Sequence, residues 1–221
     1  MKPKQSGFTL IEIAIVLVII GLLLGGVLKG QELINSAKVK NLAGDFRNIP
    51  VFIYGYQDKF KALPGDDVAA IAHVTASNNG NGNGVIEGKW SDAIAINSEA
   101  FNFWQHVRLA GFAPGPTDQA NADYIPRNAS AGKIGIQSGS ATAPAIMDKS
   151  GKPIRGSYVI CSDGILGKFV KQLDTTMDDG NIGTGSMLAT KAYTFGSKAD
   201  DTDATATAID EAASYTVCMG V

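Results

Sequence analysis

Histidine and cysteine are scarce in this chain, two of each in 221 residues. Cys161 and Cys218 lie far apart and show none of the short spacings that zinc or cluster ligands take. No motif surrounds His73 or His106, and His106 reads as a packed or surface residue of a helix. A Gly-x-Ser-x-Gly elbow, a Cys–His pair at useful spacing, a haem-attachment motif and a dinucleotide fingerprint are all missing, so catalysis by the chain itself is not expected. Charge is sparse too: 18 % of residues are Asp, Glu, Lys or Arg, with 19 basic against 21 acidic and no dense basic block. Phosphate neutralisation can then supply little binding energy, which argues against a nucleic-acid partner. Internal repeats are absent, and low complexity is confined to "NNGNGNG" at 78–84.

What the chain has is apolar substance, 45 % of it, enough for a sizeable core in a chain of this length. Much of it is concentrated at the start, in "KPKQSGFTLIEIAIVLVIIGLLLGGVLKG" at 2–30. Residues 8–28 carry a single charge, Glu12, and as a helix rising about 1.5 Å per residue they would cross a hydrocarbon layer of roughly 30 Å. A secretory signal has a shorter apolar run that ends on a small-residue cleavage site, whereas here the small residue, Gly7, comes first. Lys2 and Lys4 would stay cytoplasmic, which sends the rest of the chain across the membrane. A carboxylate in a span costs about 2.5–3.5 kcal/mol at mid-membrane and less near an end, so Glu12 needs a partner. The span itself offers none, and a cation on another molecule at the same depth would serve. Gly21, Gly25, Gly26 and Gly30 give small-xxx-small spacings that suit close helix approach, or simply reflect how common glycine is in membrane helices.

The block Ser6-Gly7-Phe8-Thr9-Leu10-Ile11-Glu12 resembles the class III leader and cleavage site of type IV pilins and type II secretion pseudopilins. The resemblance implies that a membrane prepilin peptidase cuts after Gly7 and that the new amino terminus, Phe8, is N-methylated. Glu12 becomes the fifth residue of the mature chain and meets the terminal amine of a neighbouring subunit during assembly. It further implies an inner-membrane single-pass precursor with its head outside the cytoplasm, partnered by its own copies and by the assembly machinery of the inner membrane. The mature form is then a structural subunit of an extracellular or periplasmic filament. A minor pilin or a secretion pseudopilin is the alternative within this class. From another class, a membrane-anchored monomeric binding protein would leave Glu12 incidental. Many type IV pilins have a proline near the end of the span, where this chain has Lys29 and no proline between the leader and Pro50.

Beyond the span, Phe46, Ile49, Ile53, Tyr56 and Phe60 step by three and four residues with charges mostly between them, one apolar stripe on a helix. At this spacing aromatics form core far more often than a conducting stripe. The expected organisation is a leader at 1–7, a filament-core helix at 8–30, an amphipathic continuation at 31–62 kinked at Pro50, and a globular α+β head at 63–221. "LPGDD" at 63–67 ends the long helix. Two short helices are predicted: 98–112, capped by Ser98, and 162–177, capped by Ser162 or Asp163. "KIGIQS", "GSYVIC", "LATKAYTF" and "SYTVCMGV" read as strands, giving a small antiparallel sheet on which the long helix packs.

Two loops and the cysteines remain. In "NNGNGNGVIEG" at 78–88, Asn79, Asn81, Asn83, the Val85 carbonyl and Glu87 follow the first places of a calcium loop. Carboxylates are few there, with Asp66, Asp67 or Asp92 as helpers, so the loop is either a weak calcium site or a plain Asn-Gly turn. No other cofactor is expected. "DDGNIGTG" at 178–185 is a second Asp/Asn/Gly loop; the resemblance implies a calcium site in a carboxy-terminal loop of pseudopilin heads, which this loop does not match residue by residue, and without a following lysine or helix signal it is no phosphate cradle. Cys161 and Cys218 read as one disulfide in an oxidising compartment or as two free thiols, and the resemblance favours the pair, as a staple of the carboxy-terminal part of the head.

Overall fold

A computed structural model describes residues 9–91, 98–201 and 209–221. The chain divides into two compact units, Met1–Lys38 and Val39–Val221. The first unit holds the apolar part of α1, the helix Leu10–Phe60, and from Leu10 to Leu28 every side chain is exposed. Helix α1 runs unbroken through Pro50.

In the second unit α1 presents Val39, Leu42, Ala43, Phe46, Ile49, Ile53 and Tyr56 as its buried stripe, two turns longer at its start than Phe46 to Phe60 suggested. Strands β1 (Ile134–Ser138), β3 (Tyr158–Leu166), β4 (Met187–Thr190) and β6 (Ser214–Gly220) form an antiparallel sheet in the order β1-β3-β6-β4. Side chains alternate across a strand, and both faces of this sheet are covered. Ile160, Ile165, Tyr215, Val217, Met187 and Ala189 pack with Phe46, Ile49 and Ile53 of α1. Helices α3 (Glu99–Leu109) and α4 (Gly167–Met177) join that core through Phe103, Trp104, Phe169 and Leu173. On the opposite face Val159, Cys161, Leu188 and Cys218 pack with Trp90, Ala145, Ile146, Ile154 and Ala199. That cover is built on a two-stranded parallel pair, β2 (Ile146–Met147) and β5 (Ser197–Lys198).

Ser98 caps α3 by accepting from the Phe101 amide at 3.2 Å, and Gly111 follows the helix at φ +84°, a left-handed position that glycine takes without strain. Helix α4 departs from expectation. Ser162 and Asp163 are not its cap, because β3 runs on to Leu166 and the helix begins at Gly167. Ser162 Oγ accepts from Asn128 Nδ2 and Asp163 Oδ1 from the Lys133 amide, so both are spent on the sheet edge. The first amides of α4 donate instead to the carbonyls of Ala213 and Glu211. Ile165 had the helical spacing, but it is the last strand residue facing the same core. "LATKAYTF" is strand only to Thr190, and a third short helix, α2 (Ala70–Val74), precedes α3.

Candidate functional site

Gly7 and Phe8, the expected cleavage and methylation positions, lie outside the described residues. The first described contact is local. Glu12 Oε2 accepts from the Thr9 amide and the Thr9 hydroxyl, both at 2.7 Å, while Thr9 Oγ1 lies 3.3 Å from the Glu12 amide it accepts from. This reciprocal pair is a capping box, the threonine bonding forward and the glutamate three residues on bonding back. The expectation that the span holds no partner for Glu12 is thereby corrected: Thr9 supplies neutral donors, while no cation among the described residues reaches it. The signal, Thr-x-x-Glu ahead of an apolar run, was present in the sequence.

After Glu12, α1 is the one helix among the described residues long and apolar enough to cross a membrane. Among the described residues, and apart from the helix's own nearby backbone, nothing comes within 4 Å of where a Cβ would stand on Gly21, Gly25, Gly26 or Gly30. No contact among the described residues therefore requires these glycines, although each weakens a helix by about 1 kcal/mol relative to alanine.

The Asn-Gly loop folds around carboxylates of its own chain. Asp66, buried, accepts from the amides of Gly82 (2.5 Å), Asn83 (3.1 Å) and Gly84 (2.7 Å). Buried Glu99 accepts from the amides of Asn81 and Glu87 at 3.0 Å each. Asn79 Oδ1 takes the Ile71 amide, Asn81 Oδ1 the Asn83 amide and Asn83 Oδ1 the Val85 amide. Both Glu87 oxygens accept side-chain amides, from Asn81 and Asn83. The oxygens named as cation ligands thus each hold an N–H, apart from the Val85 carbonyl, and Asp92 lies outside the described residues. Burial pushes the Glu99 carboxyl up, its two amide bonds pull it down, and the charges of Asp66 and Glu87 add to the rise.

Both histidines are structural. His106 is fully buried, its Nδ1 accepting from the Gly65 amide at 3.0 Å and its Nε2 3.1 Å from the Asn78 carbonyl, and burial pushes its pKa down. A neutral ring with its proton on Nε2 satisfies both contacts. His73 Nδ1 lies 2.7 Å from Asp67 Oδ2, and its ring stacks on Phe60.

Comparison with known proteins bears on the amino terminus. Residues 2–28 match the family described as the prokaryotic N-terminal methylation motif. The chain carries a class III prepilin leader. The motif supports its place in the type IV pilin and pseudopilin family and points to a structural protein. Leader and apolar helix together fit a membrane-anchored pilin-like precursor, for which a prepilin peptidase is the implied processing partner. No curated protein and no solved structure matches the chain significantly. The pilin-like head, an α+β unit, joins β3 to β6 by the disulfide Cys161–Cys218, whose residues face each other across the ladder.

Proposed function

We propose that the chain is a structural prepilin, cut between Gly7 and Phe8, N-methylated on Phe8 and polymerised through its first helix into a type IV pilus-like filament. The observation that carries this reading is the sleeve of exposed apolar side chains from Leu10 to Leu28, lying within the methylation motif matched over residues 2–28 and interrupted by one carboxylate. Such a surface is stable in lipid before assembly, or against other copies of itself afterwards. The glycines, whose Cβ positions are open among the described residues, support the second state, since they would let backbones of adjoining subunits approach closely.

Chemically, cleavage turns an amide nitrogen into an ammonium at Phe8, four residues from Glu12. Glu12 is held by Thr9, so it meets a neighbour's ammonium with its side chain already oriented. Release of residues 1–7 removes Lys2 and Lys4, the basic anchor that would hold the precursor to the cytoplasmic face. Intact mass and amino-terminal sequencing of the native protein test the reading. The expected result is a chain starting at a methylated Phe8 in sheared surface fibres, and a Met1 start in those fibres overturns it.

A further inference from the structure

Beside the buried stripe of α1, wholly within the second unit, lies an apolar cleft of about 210 Å³ that the assembly reading does not use. Asp45, Asn48, Ile49 and Phe52 line it from one face of α1, at steps of three, four and seven residues. Trp104 of α3 and Pro114 of the loop after it add apolar surface. The half-buried Asp45 side chain makes no hydrogen bond or ion pair among the described residues, and burial here is what raises its proton affinity. Its own helix brings no cation near, since the positions three and four away are Asn41, Leu42, Asn48 and Ile49. Arg127, the other charged residue lining the cleft, donates from Nη1 to the Ala131 carbonyl at 2.9 Å. Arg108, whose guanidinium stands over the Trp104 ring, is spent on the carbonyls of Pro114, Pro116 and Tyr124. From the cleft and its unpaired carboxylate together we infer that this site binds a small organic cation, a protonated amine on an apolar body about the size of one aromatic ring.

Each feature of the lining narrows the class of ligand. Pockets for drug-sized molecules run to roughly 300–1,000 Å³, so the occupant of this cleft is smaller. A hard metal ion does not fit, because it takes about six or more oxygens and the side chains here offer one carboxylate and the Asn48 amide. An anion would be repelled by Asp45. A neutral ligand would leave the ionised carboxylate facing apolar walls with its desolvation cost unrelieved. An ammonium relieves it by a charge-assisted hydrogen bond, and the Asn48 side-chain oxygen, one turn on, is open to the same donor among the described residues. Phe52 and Trp104 then cover the carbon body, and aromatic rings attract cations as well.

The test titrates the full-length, isotopically labelled chain in detergent micelles with benzylammonium chloride and follows its two tryptophan indole N–H signals by NMR, assigned with Trp90→Phe. Trp90 packs on the opposite sheet face and serves as the internal control. The expected result is a saturable shift of the Trp104 signal alone, with a dissociation constant on the order of 1 mM, the scale of so small a ligand. Benzyl alcohol, an uncharged probe of the same size, should bind about tenfold more weakly. Benzylammonium should bind about fivefold more weakly at pH 5 than at pH 7, as Asp45 takes up its proton. Asp45→Asn should bring benzylammonium down to the affinity of benzyl alcohol and remove the pH dependence. Asp58→Asn, at an exposed acid of the same helix outside the cleft, should change neither. The inference is overturned if the Trp104 signal stays fixed up to about 20 mM benzylammonium, well above the expected scale. Equal affinity for the two probes, or an equal loss with Asp58→Asn and Asp45→Asn, overturns it too. A Trp104 signal that moves with protein concentration before any probe is added would give the cleft to a second copy of the chain, with the same consequence. None of these readouts depends on cleavage or assembly, so the prepilin reading and this one fail separately.

Discussion

The Tyr56 hydroxyl donates a 2.7 Å hydrogen bond to Asp67 Oδ2, tying the last buried residue of α1 to the turn that ends the helix. His73 meets the same oxygen, and the Ala69 amide donates to Oδ1 at 2.8 Å. Burial pushes the Asp67 carboxyl up, but the bonds from His73, Ala69 and Tyr56 outweigh it and hold the group below the usual carboxylate range. Tyr56→Phe removes one donor to a buried charge and should lower stability by about 1.5–3 kcal/mol. Urea unfolding would register this as an earlier midpoint with an unchanged slope. Because the folded pKa of Asp67 is depressed, its stabilisation is present above the unfolded pKa and disappears as pH falls through the folded value.

Asp45 behaves in the opposite sense. It lines an apolar cleft of about 210 Å³ with Phe52, Trp104 and Pro114, and burial pushes its carboxyl up to about 6. The folded chain therefore keeps this proton at pH values where the unfolded chain, titrating near 3.8, has released it. The resulting stability is complete below about pH 4 and is lost as pH rises through about 6. Asp45→Asn should accordingly stabilise the head at pH 7 by about 1 kcal/mol or more, since each tenfold difference in proton affinity is worth about 1.4 kcal/mol before solvent screening. At pH 4 variant and wild type should unfold together, and a constant difference across pH 4–7 would contradict the assignment.

How far the head could be read from the sequence follows from where its signals are local. The helix stripe, the Ser98 cap and the four main strands each announce themselves within a dozen residues, and all are found. The cover over the second sheet face does not. Its strands β2 and β5 are two residues each, separated by fifty positions, and they exist because Val159, Leu188 and the disulfide need an apolar partner layer. The start of α4 was hidden for a related reason, since Ile165 satisfies helical and strand periodicity alike and only the pairing of Leu166 with Ser214 decides between them. At the Asn-Gly loop, the fold supplies backbone amides to Asp66 and Glu99, carboxylates twelve to eighteen positions away from their loop partners, a placement that the loop's composition does not convey. Asp174 reaches its loop only because α4 ends beside it, which no spacing rule within "DDGNIGTG" conveys.

The Cys161–Cys218 bond closes a 57-residue segment that includes α4 and β4. On the chain-entropy account a loop of this size contributes about 4 kcal/mol by restricting the unfolded state, with less where the native bond is strained. Both sulfurs are buried in the layer under β2 and β5, so reductant should act only on the opened head. The paired substitution Cys161→Ala with Cys218→Ala should lower the unfolding free energy by about 2–4 kcal/mol. Under native conditions, added dithiothreitol should leave the wild-type circular dichroism unchanged; if Tm were equal in wild type and double variant, the bond would be structurally idle.

Glu12 has two separable capacities: it accepts hydrogen bonds from Thr9 and it carries a charge. Substitution by alanine removes both and cannot distinguish a subunit that fails to pair from one whose helix start has frayed. Glu12→Gln keeps an oxygen in reach of the Thr9 amide and removes the charge, while Thr9→Ala keeps the charge and removes the hydroxyl. If the carboxylate serves to meet a neighbour's ammonium, Gln should abolish incorporation into sheared fibres as completely as Ala does, and Thr9→Ala should retain most of it. The converse pattern, with Gln assembling and Thr9→Ala failing, would assign the residue to capping alone. Membrane fractionation of the same variants supplies the control, because all three chains keep the apolar run from Ile13 to Leu28 that anchors the precursor on this reading.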